Sequence, residues 1–459
     1  MNLEALCNTL KPEQILTEPN QLQLYGKDWT KHFTANPSAI LLPKSTLEVQ
    51  AIVKWAIAEK VSLVPSGGRT GLSAGAYATN KEVVVSLEKM NKIVSFDEVE
   101  QSVHCEAGVI TESLQKFAES KGLYYPVDFA ARGSSQIGGN VATNAGGIKV
   151  IRYGLTRDWV KSLVVVTGTG EILNLNKSLV KNASGYDLRH LFIGSEGTLG
   201  FITECEMQLT RPPKDLKVFL FAVPELKAIM EVYRSFSSEF KLTAFEMFTD
   251  VALKYVQKQG HVNSPLNESA PYYILLEIEE EDSHTLETAI KLFEQNLEQG
   301  FITDGTLAQS SQQATDIWRL REDISEATAE YNPYKNDVSV RVSKVPQFIV
   351  EMDKILTTDY PEFDVVWFGH IGDGNLHINI LKPEKISSSE FMRKCHEVDK
   401  KLFHLIEKLE GSVSAEHGVG LVKKPYLHHT RSEVEIHYMK AIKKAFDPFL
   451  LMNPGKMLD

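Results

Sequence analysis

Apolar and polar positions repeat with two periods along this chain, and the switches between them predict its elements. Apolar runs at 39–42 and 61–64 read as strands. Between them, Ser45-Thr46-Leu47-Glu48 opens a stretch with helical spacing that runs to about residue 59. A serine followed three positions on by a glutamate reads as a capping box, because each side chain can satisfy a free amide at a helix start. This β-α-β order predicts an α/β unit behind a helical lead-in and loop at 1–38. Runs at 83–87 and 103–106 read as further strands, and 163–167 with 172–175 as a hairpin over Gly168-Thr169-Gly170. Arg211-Pro212-Pro213 marks a domain boundary, since prolines end regular structure. Beyond it, strands at 217–222, 272–278 and 337–340 alternate with helices at 225–240 and 283–299, and a last helix covers 434–446. The fold class expected is α+β.

A chain of 459 residues has ample core for two or three domains. Its 43% hydrophobic and 24% charged residues are those of an ordinary globular protein. The net charge of -11 argues against a nucleic-acid partner. Cys7, Cys105, Cys205 and Cys395 are scattered without a Cys-x-x-Cys pair, so no iron–sulfur cluster or zinc ribbon is indicated, and a reducing interior fits best. No apolar run reaches eighteen residues, so no transmembrane segment is expected. The expected location is cytoplasmic, with peripheral attachment to a membrane left open.

The chemistry concentrates in Trp367-Phe368-Gly369-His370-Ile371-Gly372-Asp373-Gly374-Asn375-Leu376-His377-Ile378-Asn379-Ile380. A strand, a glycine turn and an alternating strand bring His370 and His377 face to face. Converging imidazoles suit a divalent metal such as zinc, although a polar cross-strand pair is the commoner outcome of this spacing. Downstream, Ser414-Ala415-Glu416-His417-Gly418-Val419-Gly420 offers Glu416 as a third ligand and His417 as a proton-transfer group.

Three glycine-rich blocks precede this. The first is Pro65-Ser66-Gly67-Gly68-Arg69-Thr70-Gly71-Leu72-Ser73-Ala74-Gly75-Ala76, which matches neither Walker A nor the Rossmann spacing. The second runs from Gly133-Ser134-Ser135-Gln136-Ile137-Gly138-Gly139-Asn140 through Val141-Ala142-Thr143-Asn144-Ala145-Gly146-Gly147 and continues to Arg152-Tyr153-Gly154. The third is Gly194-Ser195-Glu196-Gly197-Thr198-Leu199-Gly200-Phe201-Ile202-Thr203, preceded by Gly185-Tyr186-Asp187-Leu188. Taken alone the first is a tight turn. The second is too long for a turn and reads as a surface for a large flat ligand with a pyrophosphate, which backbone amides can approach where side chains are absent.

These blocks, in this order, resemble the PCMH-type FAD-binding domain of the vanillyl-alcohol-oxidase flavoproteins. With the two histidine stretches and the tail Asn453-Pro454-Gly455-Lys456, the chain resembles the FAD-linked D-2-hydroxyacid dehydrogenases from about residue 39 to its end. The resemblance implies a PCMH-type FAD-binding domain at 1–212, an α+β substrate-binding cap at 213–410 and a helical C-terminal segment at 411–459 that completes the active site. It implies noncovalent FAD on Pro65, Ser66, Gly67, Gly68, Arg69, Thr70, Gly71, Leu72, Ser135, Ile137, Gly138, Gly139, Asn140, Thr143, Asn144, Gly147, Glu196, Gly197, Ile202 and Lys456, since no matched histidine or cysteine would tether a flavin. It implies zinc or another divalent metal on His370, His377 and Glu416, and His417 as general base, a role suited to imidazole. It implies substrate contacts from Arg321, Ser325, Lys335, Asn379 and His417, with Arg321 gripping a carboxylate.

The expected reaction is FAD-dependent oxidation of a D-2-hydroxyacid to the 2-oxoacid. D-2-hydroxyglutarate comes first because the second glycine block lies nearest that branch; D-lactate and then glycolate follow. The chain departs from the family where proline usually follows the strand at 337–340: Arg341 stands there, either binding a second carboxylate or facing solvent. Ser325 stands where the hydroxyglutarate enzymes typically have threonine. The resemblance implies reoxidation by a protein or quinone and slow reaction with oxygen; it allows a homodimer without fixing the assembly. The rivals are a noncatalytic flavin subunit, against which the intact His370, His377, Glu416 and His417 argue, and an NADPH-using reductase of peptidoglycan precursors, which would not need the His–His–Glu set.

Overall fold

Two strands that share a parallel neighbour begin the fold. Ala39–Leu41 and Leu63–Ser66 both pair in parallel with Val83–Ser86, and Ile15–Leu16 closes the far edge. Ala39, Ile40, Leu41, Val83, Val84 and Val85 are wholly buried, as continuous apolar runs in parallel strands are. Helix Thr46–Glu59 makes the crossover. Ser45 Oγ accepts the Glu48 amide at 3.2 Å. The Glu48 carboxylate does not return to Ser45; it takes the Lys44 amide at 2.8 Å and Gln14 Nε2 at 2.7 Å, so the capping box is half formed and the other half ties down the lead-in.

The computed structural model describes residues 1–31 and 33–458. It has two compact units: one comprises Met1–Gly146, Gly154–Pro212 and Glu416–Asp459, the other Gly147–Tyr153 and Pro213–Ala415. Among the described residues the first unit adds an antiparallel five-stranded sheet in the order Ile93–Asp97, Ser102–Glu106, Gly200–Gln208, Val160–Thr167, Ile172–Leu175. Val103, Leu114, Tyr125, Ile137, Val141 and Phe192 form its core. The tail is locked to this unit by buried Lys443, whose Nζ donates to the carbonyls of Thr198 and Met452 and to Asp447, each within 3.0 Å.

The second unit is built on a seven-stranded sheet in the order Asp304–Leu307, Leu216–Val223, Tyr272–Glu279, Leu242–Thr249, Val365–Gly369, Asn375–Ile380, Tyr334–Ser339, antiparallel at every pair. One face carries Phe219 and Phe221, packed against Phe236 of helix Leu226–Glu239 and Phe293 of helix Thr285–Glu298; each fully buried ring contributes about 1.5–3 kcal/mol. The opposite face packs Val218, Leu220, Phe248, Tyr273 and Leu275 against Ala252, Leu253, Ile317, Leu320 and Ile324. Gly147–Tyr153 belongs to this unit because Lys149 is buried in a salt bridge with Glu277, beneath the Trp318 ring, and Arg152 pairs with Glu279. A buried lysine with no counter-charge would cost several kcal/mol. No helix among the described residues is long and apolar enough to cross a membrane.

Candidate active site

The face of the seven-stranded sheet that packs Phe248 turns polar toward its last strands. Strands Val365–Gly369 and Asn375–Ile380 pair antiparallel with Phe368 opposite His377. The turn between them needs glycine at 374: its φ is +86°, and a Cβ there would strike the Val340 carbonyl. The hairpin brings the His370 and His377 rings to 5.5 Å between centroids, nearly perpendicular. Both side chains are buried.

Each imidazole has a carboxylate beside its Nδ1. His370 Nδ1 lies 2.8 Å from Glu246 Oε1, and His377 Nδ1 lies 3.6 Å from Asp337 Oδ1. The Glu246 hydrogen bond fixes the His370 tautomer that presents Nε2 as a metal ligand. Asp337 also accepts Asn375 Nδ2 at 2.8 Å and the Ala415 amide at 3.2 Å, which fixes the residue immediately before Glu416. The donor set in this unit therefore fits a divalent metal such as zinc: two buried imidazoles, one of them oriented by a hydrogen-bonded carboxylate.

Glu246 does more. Its Oε2 lies 2.8 Å from Arg321 Nη2, an ion contact without the alignment of a straight hydrogen bond. Arg321 is 6% exposed, its guanidinium sits 4.8 Å from the Phe368 ring centroid, and its Nε has no partner among the described residues. Burial would raise the Glu246 carboxyl, but the facing His370 and Arg321 together hold it below its usual range. On the same sheet face, Lys335 stands directly opposite Asn379 and Asp337 directly opposite His377. Asn379 is 2% exposed and its Nδ2 has no partner among the described residues. Ser325 lies on the short helix Ile324–Ala327, exposed. Arg341, left open by the sequence, is 68% exposed and paired with Glu410 at 2.8 Å; it faces solvent.

In the first unit, Glu416 and His417 adjoin, with His417 Nε2 4.0 Å from Glu416 Oε1. The segment after them is clamped by Glu196, whose two oxygens accept the amides of Val419 at 2.7 Å and Gly420 at 2.8 Å. Burial pushes the Glu196 carboxyl up, against the lowering effect of those two amides. Residues 421 and 422 donate to the Ser73 carbonyl, and Asn453 Nδ2 donates to the carbonyls of Gly75 and Glu196.

The three glycine blocks meet around these contacts. A Cβ on Gly67 would lie 3.5 Å from Gln136 Oε1 and 3.7 Å from Gly139 Cα, and one on Gly197 would lie 2.7 Å from Pro65. Ser66 Oγ, Gln136 Oε1 and Ser195 Oγ on these blocks, and Asn453 Oδ1 on the tail, are buried without a partner among the described residues. Each such atom costs about 1–3 kcal/mol unless something satisfies it, and a cofactor rich in phosphate, ribose and ring donors would do so. The blocks fit FAD on that ground. Ser135 and Asn140 spend their side chains on Thr111, each at 2.7 Å, and Ile137–Thr143 is a short helix ending at Asn144 with φ +52°, so this stretch offers mainly backbone. Arg69 has φ +59° and lies over the Tyr25 ring at 4.4 Å. Lys456 is 1% exposed, its Nζ 4.0 Å from Glu82, and burial brings it down to about 8.

Glu246, Asp337, Gln136, Ser195 and Asn453 were not singled out from the sequence. For Glu246 the signal was present: it is the one charge in Leu242-Thr243-Ala244-Phe245-Glu246-Met247-Phe248-Thr249, and a charge inside a buried strand demands partners.

The chain matches two family descriptions, "FAD binding domain" over residues 37–176 and "FAD linked oxidases, C-terminal domain" over 212–457. It is 55% identical over 455 residues to a D-2-hydroxyglutarate dehydrogenase of Stutzerimonas stutzeri, covering 99% of this chain and 98% of that protein. The chain belongs to the FAD-linked D-2-hydroxyacid dehydrogenases. A D-2-hydroxyglutarate dehydrogenase of Xanthomonas citri is 53% identical, over 97% of this chain and 94% of its own. Among solved structures, p-cresol methylhydroxylase aligns with a TM-score of 0.79 at 15% identity, covering 100% of this chain and 96% of that one; at that identity the likeness is one of fold, and it bears out the PCMH-type architecture. Members of the family are FAD-dependent oxidoreductases, and this chain is one.

Proposed function

We propose that this chain oxidises D-2-hydroxyglutarate to 2-oxoglutarate, with D-lactate and then glycolate as weaker substrates. The observation that carries the substrate is the 55% identity, over nearly the whole of both chains, to a protein named for that activity. The site chemistry is consistent with a dicarboxylate: two cations, Arg321 and Lys335, stand on one sheet face. Phe368, over which Arg321 sits, and Lys335 lie two strands across and two residues along the sheet from each other, roughly 12 Å between backbones.

Bound noncovalently, FAD would be the hydride acceptor, and His370, His377 and Glu416 would hold a divalent ion, zinc first, that would supply Lewis acidity. Arg321 grips the carboxylate next to the reacting carbon and Lys335 the distal one. Asn379 donates Nδ2 to the substrate, and Ser325 borders the distal end. His417 takes the hydroxyl proton as hydride leaves, so one proton and one hydride depart and a carbonyl remains. Backbone amides of 66–71 and of the second block hold the pyrophosphate, with Asn144 and Gly147 toward the flavin ring, Glu196, Gly197 and Ile202 toward the adenine, and Lys456 returning to the ring. In this reading 1–212 is the FAD-binding domain, 213–410 the substrate cap and 411–459 the segment that completes the site. A protein or quinone reoxidises the flavin, and the protein is cytoplasmic.

Initial rates with an acceptor dye test the substrate. D-2-Hydroxyglutarate is expected to give the highest kcat/KM in a panel with D-lactate, glycolate and the L-enantiomers. A higher value for D-lactate would reassign the substrate, and activity with NADPH alone would reassign the reaction.

A further inference from the structure

Glu246 touches both halves of the proposed substrate site with one carboxylate. Oε1 holds His370 Nδ1 at 2.8 Å, and Oε2 holds Arg321 Nη2 at 2.8 Å. The carboxylate is 1% exposed, and its strand, Leu242–Thr249, is hydrogen-bonded on both sides, to Tyr272–Glu279 and to Val365–Gly369. Its backbone therefore cannot drift, and the two groups it holds inherit that rigidity. The Arg321 guanidinium carbon lies 4.8 Å from the Phe368 ring centroid, and the Phe368 ring lies 4.9 Å from that of His377. The guanidinium has five donors; Glu246 engages Nη2, and buried Nε has no partner among the described residues. Arg321 thus keeps a buried donor for a second carboxylate while Glu246 fixes its plane.

We propose that Glu246 is a positioning residue that couples the carboxylate-binding arginine to the metal-binding histidine, setting the plane of Arg321 and the tautomer of His370 together. This rests on the roles proposed above for Arg321 and His370. The coupling has a mechanistic sense: a 2-hydroxyacid presents its carboxylate and its hydroxyl on adjacent carbons, so the two groups that receive them must keep a fixed spacing. A single carboxylate between those two groups provides it. A counter-ion role makes the opposite prediction for anions, since removing a negative charge beside Arg321 would then strengthen anion binding.

The test compares wild type with Glu246→Gln, nearly the same shape without the charge. FAD content and melting temperature report folding. Zinc affinity is measured by chelator competition, and 2-oxoglutarate affinity by perturbation of the flavin spectrum in metal-stripped protein. The expected result is retained FAD, zinc affinity lower by roughly 10–100-fold, and weaker 2-oxoglutarate binding even without metal. Unchanged zinc and 2-oxoglutarate affinities, or tighter 2-oxoglutarate binding, would overturn the proposal. Should Glu246→Gln lose FAD, Arg321→Lys provides a second arm: it is expected to weaken zinc binding although Arg321 is not a ligand, and an unchanged zinc affinity would refute the coupling. A wild type that binds no zinc at all would instead refute the metal reading, leaving the stripped-protein arm to judge Glu246 and Arg321.

Discussion

Replacing Glu196 by glutamine should release the segment that carries Glu416 and His417 without unfolding the protein. Each carboxylate oxygen of Glu196 accepts one amide, from Val419 at 2.7 Å and from Gly420 at 2.8 Å. Glutamine keeps one acceptor and turns an amide NH2 toward the other donor. A buried donor left without its acceptor costs about 1–3 kcal/mol, which at about 1.4 kcal/mol per tenfold is a local opening made roughly 5- to 150-fold more frequent. Global stability should change less. Burial pushes the Glu196 carboxyl above its usual range even with two amides pulling it down, so the ionised group is itself a cost to the fold at neutral pH, and removing its charge offsets part of the lost bond. The assay is amide hydrogen exchange over 416–424, with kcat and FAD content measured on the same samples. The expected outcome is faster exchange at 419–420 by the factor above and a lower kcat per FAD-loaded enzyme. Unchanged exchange with lost activity would mean that Glu196 acts on the cofactor directly and that the clamp argument is wrong.

Three further outcomes follow from the same geometry. His377→Ala should abolish metal binding and turnover while leaving FAD bound; full activity would refute the metal assignment. Gly68→Ala puts a methyl group onto the Ser134 carbonyl and should cost about 1–3 kcal/mol with weaker FAD retention, read by melting temperature and flavin-to-protein ratio; a neutral result would mean the two glycine blocks separate easily. The His104–Glu204 pair, at 2.8 Å, should give a pH-dependent stability difference. The hydrogen bond to Glu204 raises His104, so its contribution is complete below about 6.5 and is lost as pH rises through the raised value. The same bond lowers Glu204, so that part is present above about 4.5 and lost as pH falls through the lowered value. Both groups are partly exposed, so His104→Gln should cost no more than about 1 kcal/mol, greatest between roughly pH 5 and 6.5; a difference that grows toward pH 9 would contradict the sign.

Much of the fold was legible because burial leaves a plain pattern. The parallel strands at 39–42 and 83–85 are unbroken apolar runs, and the 163–175 hairpin has its glycines where the chain reverses. Leu242–Thr249 escaped because its glutamate interrupts the apolar run, and that glutamate is what the site needed. The capping box at Ser45 was read half correctly: sequence spacing shows that Glu48 can reach an amide, but only the tertiary structure decides that Lys44 and Gln14 take it. The membership of Gly147–Tyr153 in the second unit was not readable, since it rests on Lys149 finding Glu277 far along the chain. The histidine hairpin was visible in spacing alone; the carboxylates beside its imidazoles, Glu246 and Asp337, sit on other strands, and although the lone charge in 242–249 marks Glu246 as needing partners, no local pattern says that His370 and Arg321 are those partners.

The central claim is that this flavoprotein takes a hydride from D-2-hydroxyacids, and anaerobic reduction of the purified protein tests it most directly. Added D-2-hydroxyglutarate should bleach the visible flavin absorbance faster than D-lactate or glycolate, while the L-enantiomers leave it unchanged. A flavin bleached by NADPH and by no hydroxyacid, or the absence of any flavin after FAD is supplied, would contradict the account.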